Sequence, residues 1–135
     1  MKRDAVAGQI AAWLSSTLRR DDFGRLKRYL FTVRRPGAAL PLCLIPVAIG
    51  HHPSAEDRAR KAKLQAAGHQ VVIVRSVAEV QLAIGSRQLA ELVERRVEAD
   101  RRRRLSRREL ELIVAMAATD PVRYQPAPAE MARAA

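Results

Sequence analysis

The sequence predicts an α/β protein with a small, partly parallel sheet, an N-terminal helix and a long C-terminal helical extension. Two short apolar segments, residues 40–49 and 70–75, are typical of strands buried in a sheet. The residues between them open with a helix-capping pattern and end at Gly68, which tolerates the left-handed backbone that closes many helices. Two strands joined by a helix of this length normally lie parallel, with a right-handed connection. We therefore expect a βαβ crossover over residues 40–84.

A helix is predicted over residues 5–18. Its large apolar residues are spaced three and four apart and therefore share one face that can be buried: Val6, Ile10, Trp13, Leu14 and Leu18. In residues 23–35, apolar residues such as Phe23, Leu26 and Leu30 lie among many Arg and Lys residues. We expect a helix followed by a strand in this segment.

Residues 40–49 predict a strand that is buried on both faces, because almost every residue there is apolar. Pro41 and Pro46 each lack the amide hydrogen that a strand donates to its neighbour. We therefore expect either a bulge in this strand or a position at the edge of the sheet.

Two capping boxes place the helices that accompany the predicted crossover. Residues 54–57 read Ser-Ala-Glu-Asp, which predicts a helix over residues 54–67. Residues 70–75 are rich in β-branched residues and predict a strand. The box Ser-Val-Ala-Glu follows at residues 76–79, so this strand should pass directly into another helix.

The C-terminal part is predicted to be helical and highly charged. A stripe of Leu and Val residues continues beyond residue 86, and nearly every residue from 98 to 108 is charged. One long helix or a helical hairpin over residues 86–120 fits this pattern. The Pro-containing and Ala-rich residues 121–135 predict a flexible tail. We therefore expect a basic α/β domain at residues 1–85, followed by these two segments.

Strong positive charge is the main indication of function. The chain has 25 Lys and Arg residues against 14 Asp and Glu residues, which gives a formal net charge of +11. A charge of this size repels itself unless a partner balances it, and DNA or RNA is the partner that we expect. Residues 1–85 carry +8 of this charge, so the contact should lie there. A membrane partner is not expected, because no basic amphipathic helix carries large apolar anchors.

Cys43 is the only cysteine, which excludes an intrachain disulfide and a cysteine-based metal cluster within one chain. This composition is typical of the reducing cytoplasm, where we expect the protein. The sequence contains no glycine-rich phosphate loop and no nucleophile elbow. We expect no cofactor, no metal site and no catalytic residue.

The candidate contacts with nucleic acid are basic residues. The densest group lies in residues 19–35, and we prefer it as the contact surface because such a density suits phosphate contacts. The alternative for this group is an ordinary solvated helix face with its aromatic residues in the core. The candidate set comprises Arg19, Arg20, Arg25, Lys27, Arg28, Arg34, Arg35, Arg58, Lys61 and Arg75.

The C-terminal segment is the candidate surface for a protein partner. Its alternating charges suit contact with a second helix, and they allow a homodimer formed through this segment. The apolar residues of the proposed partner helix are Leu89, Leu92, Val93, Leu110, Ile113 and Val114.

Residues 63–80, which read KLQAAGHQVVIVRSVAEV, resemble the C-terminal half of VRR-NUC domains, members of the PD-(D/E)XK nuclease superfamily. In that family a core strand leads into a helix, a glycine turn, a strand that ends near Arg-Ser, and a further helix. Residues 40–84 reproduce this order. The resemblance implies a nuclease-like fold whose basic surface approaches a phosphate backbone.

The residues that cleave nucleic acid in that family have no match in this chain. The family needs carboxylates that hold a divalent cation and a lysine near the attacking water. No Asp or Glu occurs between Asp22 and Glu56, so the acid and the lysine of the family's core strand are both missing from residues 45–49. His51 and His52 follow this strand and leave a metal-binding interpretation open, although adjacent side chains on an extended segment usually point apart.

We therefore expect a catalytically inactive, nuclease-like protein that binds DNA or RNA without reading its sequence, of a kind that phages and other mobile elements encode. A second hypothesis is a small phage-type inhibitor or adaptor that binds a protein of a nucleic-acid-handling complex. A third is an active metal-dependent nuclease that uses acids from scattered positions, such as Asp4, Asp22 and Glu56.

Overall fold

The structure is a computed structural model and describes residues 2–119. The tail that the sequence predicts at residues 121–135 lies outside the described residues. The described chain forms, in order, α1 (Arg3–Thr17), a short 3₁₀ turn (Arg20–Asp22), β1 (Phe23–Lys27), β2 (Leu30–Val33), β3 (Leu42–Pro46), α2 (Ala55–Ala66), β4 (Val71–Val74), α3 (Val77–Ile84) and α4 (Ser86–Thr119).

The strands of the described chain form one mixed sheet in the order β1-β2-β3-β4. The pairs β1–β2 and β2–β3 are antiparallel, whereas β3 and β4 are parallel and are connected through α2. The predicted fold class is therefore confirmed: an α/β protein with a partly parallel sheet, a βαβ crossover, an N-terminal helix and a long C-terminal helix.

The hydrophobic core lies on both faces of the sheet, because successive strand residues point to opposite sides. On one face, strand residues such as Phe31 pack with Leu14 of α1, Val80 of α3 and Leu92 of α4. On the other face, Cys43 and its buried neighbours pack against Leu64 of α2. The sheet is therefore enclosed between α2 and a layer that contains α1, α3 and the start of α4.

Residues 23–33 form a β-hairpin, so the helix predicted at the start of this segment is wrong. Phe23 pairs with Val33, and Gly24 pairs with Thr32. The apolar spacing of three suggested a helix, but Leu26 is 66% exposed and does not belong to a buried face. In the second strand, Phe31 and Val33 lie two residues apart and enter the core on the same face of the sheet, whereas Leu30 is buried on the other face.

β3 is an interior strand whose pairing with both neighbours has no register shift, so neither of the predicted alternatives, a bulge or an edge position, is found. It lies between β2 and β4, with Pro41 just before it and Pro46 as its last residue. The amides of Cys43 and Val47 donate hydrogen bonds to β4 or its flanking residues. The backbone amides of the even-numbered residues therefore point toward β2. Pairing with β2 ends at Leu44, and the missing amide of Pro46 therefore costs no ladder hydrogen bond.

The serines of the two predicted capping boxes cap α2 and α3, but only the box at residues 54–57 is complete. The hydroxyl of Ser54 accepts a hydrogen bond from the amide of Asp57, whose carboxylate accepts one from the amide of Ser54. The hydroxyl of Ser76 accepts from the amide of Glu79, but the carboxylate of Glu79 accepts from the amide of Arg75 and not from that of Ser76. Gly68 follows α2 with φ of +96°, a backbone conformation that favours glycine. The predicted helix and strand of the crossover are confirmed.

The chain divides into two compact units, one up to Val97 and the other from Glu98. In the first unit, the guanidinium of Arg96 donates to the carbonyl oxygens of Ser15 and Leu18, at the end of α1. The start of α4 is therefore part of this first unit, which we call the α/β unit. α4 is a single helix over the described residues, so a helical hairpin is not formed there.

In the second unit, the described residues belong to the remainder of α4. Glu98 forms ion pairs with Arg101 and Arg102, and Asp100 forms one with Arg103. Pairs of opposite charge three and four residues apart stabilise an exposed helix modestly. None of the helices in the described part of the chain combines the length and the apolar character needed to cross a lipid bilayer.

Truncation of a buried α4 residue should destabilise the α/β unit. Leu92 is fully buried, whereas Leu82 is 81% exposed. We expect Leu92→Ala to lower the free energy of unfolding by about 2–5 kcal/mol, because it leaves a cavity in the core. The matched variant Leu82→Ala should change it by less than about 0.5 kcal/mol. Urea unfolding followed by circular dichroism measures both, and equal effects would contradict this packing.

Candidate nucleic-acid interface

Three helices of the α/β unit begin at the end of the sheet where β3 and β4 finish, which we call the carboxyl end. α3 begins within three residues of Val74, the last residue of β4. α1 begins at Arg3, whose Nε donates to the carbonyl oxygen of Pro46 at 2.8 Å. α2 begins beside it, because Arg3 also contacts Asp57 in the first turn of α2. Helix N-termini carry partial positive charge, so their potentials add at this end.

The contact between Arg3 and Asp57 holds two of these helix starts together. The guanidinium of Arg3 donates to a carboxylate oxygen of Asp57 at 2.6 Å, and the Asp57 side chain is only 4% exposed. The other carboxylate oxygen accepts from the amide of Ser54 at 3.0 Å. The Arg3 guanidinium also lies 3.9 Å from the centre of the Tyr29 ring. Both oxygens of Asp57 are thus satisfied, and Arg3 is fixed between α2 and the hairpin.

The pKa of Asp57 lies below its ordinary value. Burial raises this pKa, but the hydrogen bonds from Arg3 and Ser54 and the positive charge of Arg3 lower it further than burial raises it. Asp57 therefore remains ionised in the folded protein at neutral pH, as the bridge to Arg3 requires.

A cleft of about 500 Å³ opens at the carboxyl end. Its lining includes Lys2, His51 and His52, together with Arg3. Asp57 is the one acidic residue in the lining, and its charge is already paired with Arg3. The cleft can therefore attract an anion through Lys2 and through the helix starts beside it.

The turn between β1 and β2 brings further basic side chains to the same end. Arg28 forms an ion pair with Asp4 at 2.8 Å, and the hydroxyl of Tyr29 donates to the other oxygen of Asp4 at 2.6 Å. Arg25 donates to the carbonyl oxygen of Arg28, and its positive charge helps to lower the pKa of Asp4. Within the described chain, no ion pair involves Arg25 or Lys27, and both are exposed. The turn therefore presents the charges of Arg25 and Lys27 to solvent.

Asp4 and Tyr29 influence the pKa of each other. The hydrogen bond from Tyr29 lowers the pKa of Asp4, and Arg28 lowers it further. The same hydrogen bond raises the pKa of the Tyr29 hydroxyl. Asp4 is thus an ionised acceptor that orients the turn toward the start of α1.

Two further arginines complete the basic residues at the carboxyl end: Arg58 near the start of α2, and Arg75 between β4 and α3. Arg58 donates to the carbonyl oxygen of Pro53, and Arg75 donates to that of His51 at 3.0 Å. The acceptors in both hydrogen bonds are backbone carbonyls and not carboxylates, so these hydrogen bonds do not offset the positive charge of either side chain. Lys61 lies farther along α2 and is partly buried.

Four of the predicted contacts lie at the opposite end of the sheet. Arg19, Arg20, Arg34 and Arg35 flank the start of β1 and the end of β2. A strand advances about 3.3 Å per residue, so Arg28 and Arg35 are separated by roughly 20 Å along the hairpin. The structure therefore divides the predicted 19–35 surface into two groups and does not form one continuous patch.

Lys2 and Arg3 belong to the carboxyl end but are absent from the set predicted from the sequence. Their place beside Pro46 depends on how α1 packs across the sheet, which local sequence does not specify. The available signal was their position at the start of the first predicted helix, where helix and side-chain charges add.

The acids proposed for a metal-dependent nuclease do not converge. Asp4 lies at the carboxyl end, Asp22 lies at the opposite end, and Glu56 pairs with Arg60 on α2. Among residues 2–119, no group of three or more His, Cys, Asp or Glu side chains is arranged to hold a metal ion. His51 and His52 are both exposed beside the cleft.

The residues predicted for a partner helix have different environments. Leu92 is fully buried and offers no surface to a partner, and Leu89 is partly buried against the same core. They are buried because the start of α4 packs on the α/β unit. Val93 is partly exposed, whereas Leu110, Ile113 and Val114 are exposed in the second unit.

Comparison of the chain with protein-family models, with curated proteins and with solved structures found no match. The functional interpretation therefore depends on the charges and contacts of this chain.

Replacement of Asp57 should weaken the fold in a pH-dependent way. At pH 7 we expect Asp57→Asn to lower the free energy of unfolding by about 1–3 kcal/mol, because Arg3 loses a charged acceptor. The folded-state pKa of Asp57 is lowered, so its contribution is present above the unfolded carboxyl pKa near 4 and is lost as pH falls through the lower folded value. The difference between the two proteins should therefore shrink below about pH 4.

Urea unfolding at several pH values between neutral and strongly acid measures this difference. Asp21→Asn is the control, because Asp21 is exposed. A difference between wild type and Asp57→Asn that stays constant over the whole range would contradict the proposed role of the ionised carboxylate.

Proposed function

We propose that the protein binds DNA or RNA through the phosphate backbone, without reading the base sequence and without cleaving the strand. The observation that carries this proposal is the convergence at the carboxyl end of three helix N-termini with five basic side chains that form no ion pair within the described chain. These side chains are Lys2, Arg25, Lys27, Arg58 and Arg75.

The arrangement suits a polyanion better than a small anion. The five side chains come from the start of α1, the β1–β2 turn and the ends of the βαβ crossover, so they are spread across one end of the sheet. Phosphates in a nucleic acid repeat along a line and can meet several such charges at once. Contacts of this kind position a strand or duplex but carry no direct information about base sequence.

The proposal that the protein does not cleave the strand is supported by the chemistry of β3. This strand reads Leu-Cys-Leu-Ile-Pro and contains neither a carboxylate nor a lysine. A nuclease of the family that the sequence resembles needs both on this strand. The order of strand, helix, glycine turn, strand and helix in residues 42–84 supports a nuclease-like origin in which binding persists without the metal centre.

Removal of two exposed charges at the carboxyl end should weaken binding and reduce its dependence on salt. We expect the double variant Lys2→Ala/Lys27→Ala to lower the slope of log affinity against log salt by about two, because each lysine that contacts a phosphate contributes about one. Fluorescence anisotropy with a labelled duplex and a labelled single strand measures the slope.

The matched control is Arg20→Ala/Lys63→Ala, which removes the same charge from exposed residues away from the carboxyl end. Equal losses in both double variants would show that only the net charge matters and would contradict an interface at the carboxyl end. No binding by the wild-type protein at low salt would refute nucleic-acid binding altogether.

The absence of cleavage needs its own measurement. We expect labelled strands to remain intact on a denaturing gel after incubation with the protein and Mg²⁺ or Mn²⁺. Metal-dependent cleavage that co-purifies with the folded protein and disappears in His51→Ala/His52→Ala would overturn the inactive assignment.

A further inference from the structure

A second cleft, of about 460 Å³, lies at the opposite end of the sheet from the proposed nucleic-acid interface. The 3₁₀ turn, the loop between β2 and β3 and the start of α4 enclose it. Its charged lining consists of Arg19, Asp21, Asp22, Arg34, Arg35 and Arg95. All of these residues belong to the unit that ends at Val97.

Asp22 is a buried acid in this cleft with one unused oxygen. Its side chain is only 3% exposed. One carboxylate oxygen has long contacts with Arg19 at 3.3 Å and with Arg95 at 3.5 Å. The other oxygen, Oδ2, accepts no hydrogen bond within the described chain. A buried acceptor without a donor is destabilising, and such groups are rare in folded proteins.

Two hydrogen-bond donors in the same lining are also unused. The Nε atoms of Arg19 and Arg35 are buried and have no acceptor within the described residues. Arg35 uses Nη2 to bind the side-chain oxygen of Gln70 at 2.8 Å. Arg34 is exposed, and its backbone amide donates to the carbonyl oxygen of Asp22, which fixes it at the rim of the cleft. The cleft therefore combines an unpaired buried acceptor with unpaired donors.

This combination specifies the chemistry of a ligand. Arginine donors favour a phosphate, which can accept two hydrogen bonds from one guanidinium. The unpaired oxygen of Asp22 requires an O–H or N–H donor and would repel a bare phosphate. A phosphorylated nucleoside carries both groups, since its ribose hydroxyls and base amines are donors. The volume lies within the range of small-molecule sites and is adequate for one nucleotide.

We propose that this cleft binds one phosphorylated nucleoside, with the phosphate against Arg34 and Arg35 and a ribose hydroxyl or base amine donating to Oδ2 of Asp22. The nucleotide is either free or the terminal residue of a nucleic-acid strand, because both present the same groups. The proposal is independent of the function assigned to the carboxyl end, since the two sites lie at opposite ends of the sheet.

Isothermal titration of the full chain with guanosine 5′-monophosphate and adenosine 5′-monophosphate tests the proposal. We expect at least one nucleotide to bind, and the corresponding nucleoside and inorganic phosphate to bind at least about tenfold more weakly, because the nucleoside lacks the phosphate and inorganic phosphate lacks the ribose and base donors. Arg34→Ala should weaken nucleotide binding about tenfold or more. Arg20→Ala is the matched control, since Arg20 is exposed and does not line the cleft.

Asp22→Asn tests whether the ligand is recognised by a hydrogen bond to Asp22 and not only by attraction to the arginines. Its amide can keep an oxygen toward Arg19 and Arg95, but it places an N–H₂ donor where Oδ2 now lies. We expect nucleotide binding to weaken and inorganic phosphate binding to strengthen in this variant. If Asp22→Asn does not fold, as judged by circular dichroism, Arg34→Ala against Arg20→Ala still decides the proposal.

A third arm distinguishes the two sources of the nucleotide. If the ligand is a strand terminus, Arg34→Ala should weaken binding of a 5′-phosphorylated oligonucleotide but not of the same oligonucleotide without the phosphate. If the ligand is a free nucleotide, Arg34→Ala should not change the binding of either oligonucleotide. Lack of binding of both monophosphates at millimolar concentration, or equal loss in Arg34→Ala and Arg20→Ala, would overturn the proposal. Loss of nucleotide binding in Lys2→Ala/Lys27→Ala would also contradict it, because those residues belong to the other site.

Discussion

The bridge between Arg3 and Asp57 is the interaction on which the carboxyl end of the sheet depends. Arg3 contacts the last residue of β3, the first turn of α2 and the ring of Tyr29 in the hairpin. Asp57 also accepts the amide of Ser54 and so forms the cap of α2. One buried ion pair therefore fixes the positions of two helix starts and the β1–β2 turn. Breaking a buried pair leaves an uncompensated charge, which makes the arrangement difficult to change one residue at a time.

The two buried acids of the α/β unit, Asp57 and Asp22, differ in a way that bears on function. Both carboxylate oxygens of Asp57 have donors, so this residue is committed to the fold. Asp22 has only long contacts on one oxygen and none on the other within the described chain. Because Asp57 is paired with Arg3, the other basic side chains at the carboxyl end stay available to a polyanion. Asp22, in contrast, has a carboxylate oxygen that can still accept a hydrogen bond. The fold thus supports a broad basic surface at one end of the sheet and a more selective cleft at the other.

The βαβ crossover was predictable because its signals are local. Serine caps, a β-branched strand and Gly68 each act over a few residues, and all of them appear in the structure. The segment 23–35 was harder to predict, because its charged residues obscured the alternation of Phe31 and Val33. Pro46 led to a wrong prediction for β3, because the cost of a missing amide hydrogen depends on whether a neighbouring strand pairs at that position. Pairing with β2 ends before Pro46.

The candidate site was only partly predictable, since it depends on which chain ends meet. The sequence identified the basic residues near 25–28, 58 and 75, but it could not separate them from those near 19 and 35. That separation requires the hairpin, which sends the two groups to opposite ends of the sheet. Lys2 and Arg3 lie at the site only because of how α1 packs on the sheet. Leu92 is not part of a partner surface because the start of α4 packs on the core and buries it. Tertiary contacts decide both assignments.

The measurement that tests the central claim most directly is an amide chemical-shift titration of ¹⁵N-labelled protein with a short duplex whose ends carry no phosphate. The account predicts that the largest shifts cluster at the carboxyl end, in residues 2–5, 25–29, 50–58 and 75–77. Shifts concentrated instead in residues 19–22 and 34–41, or spread evenly over the basic residues of the chain, would contradict an interface formed by the three helix starts.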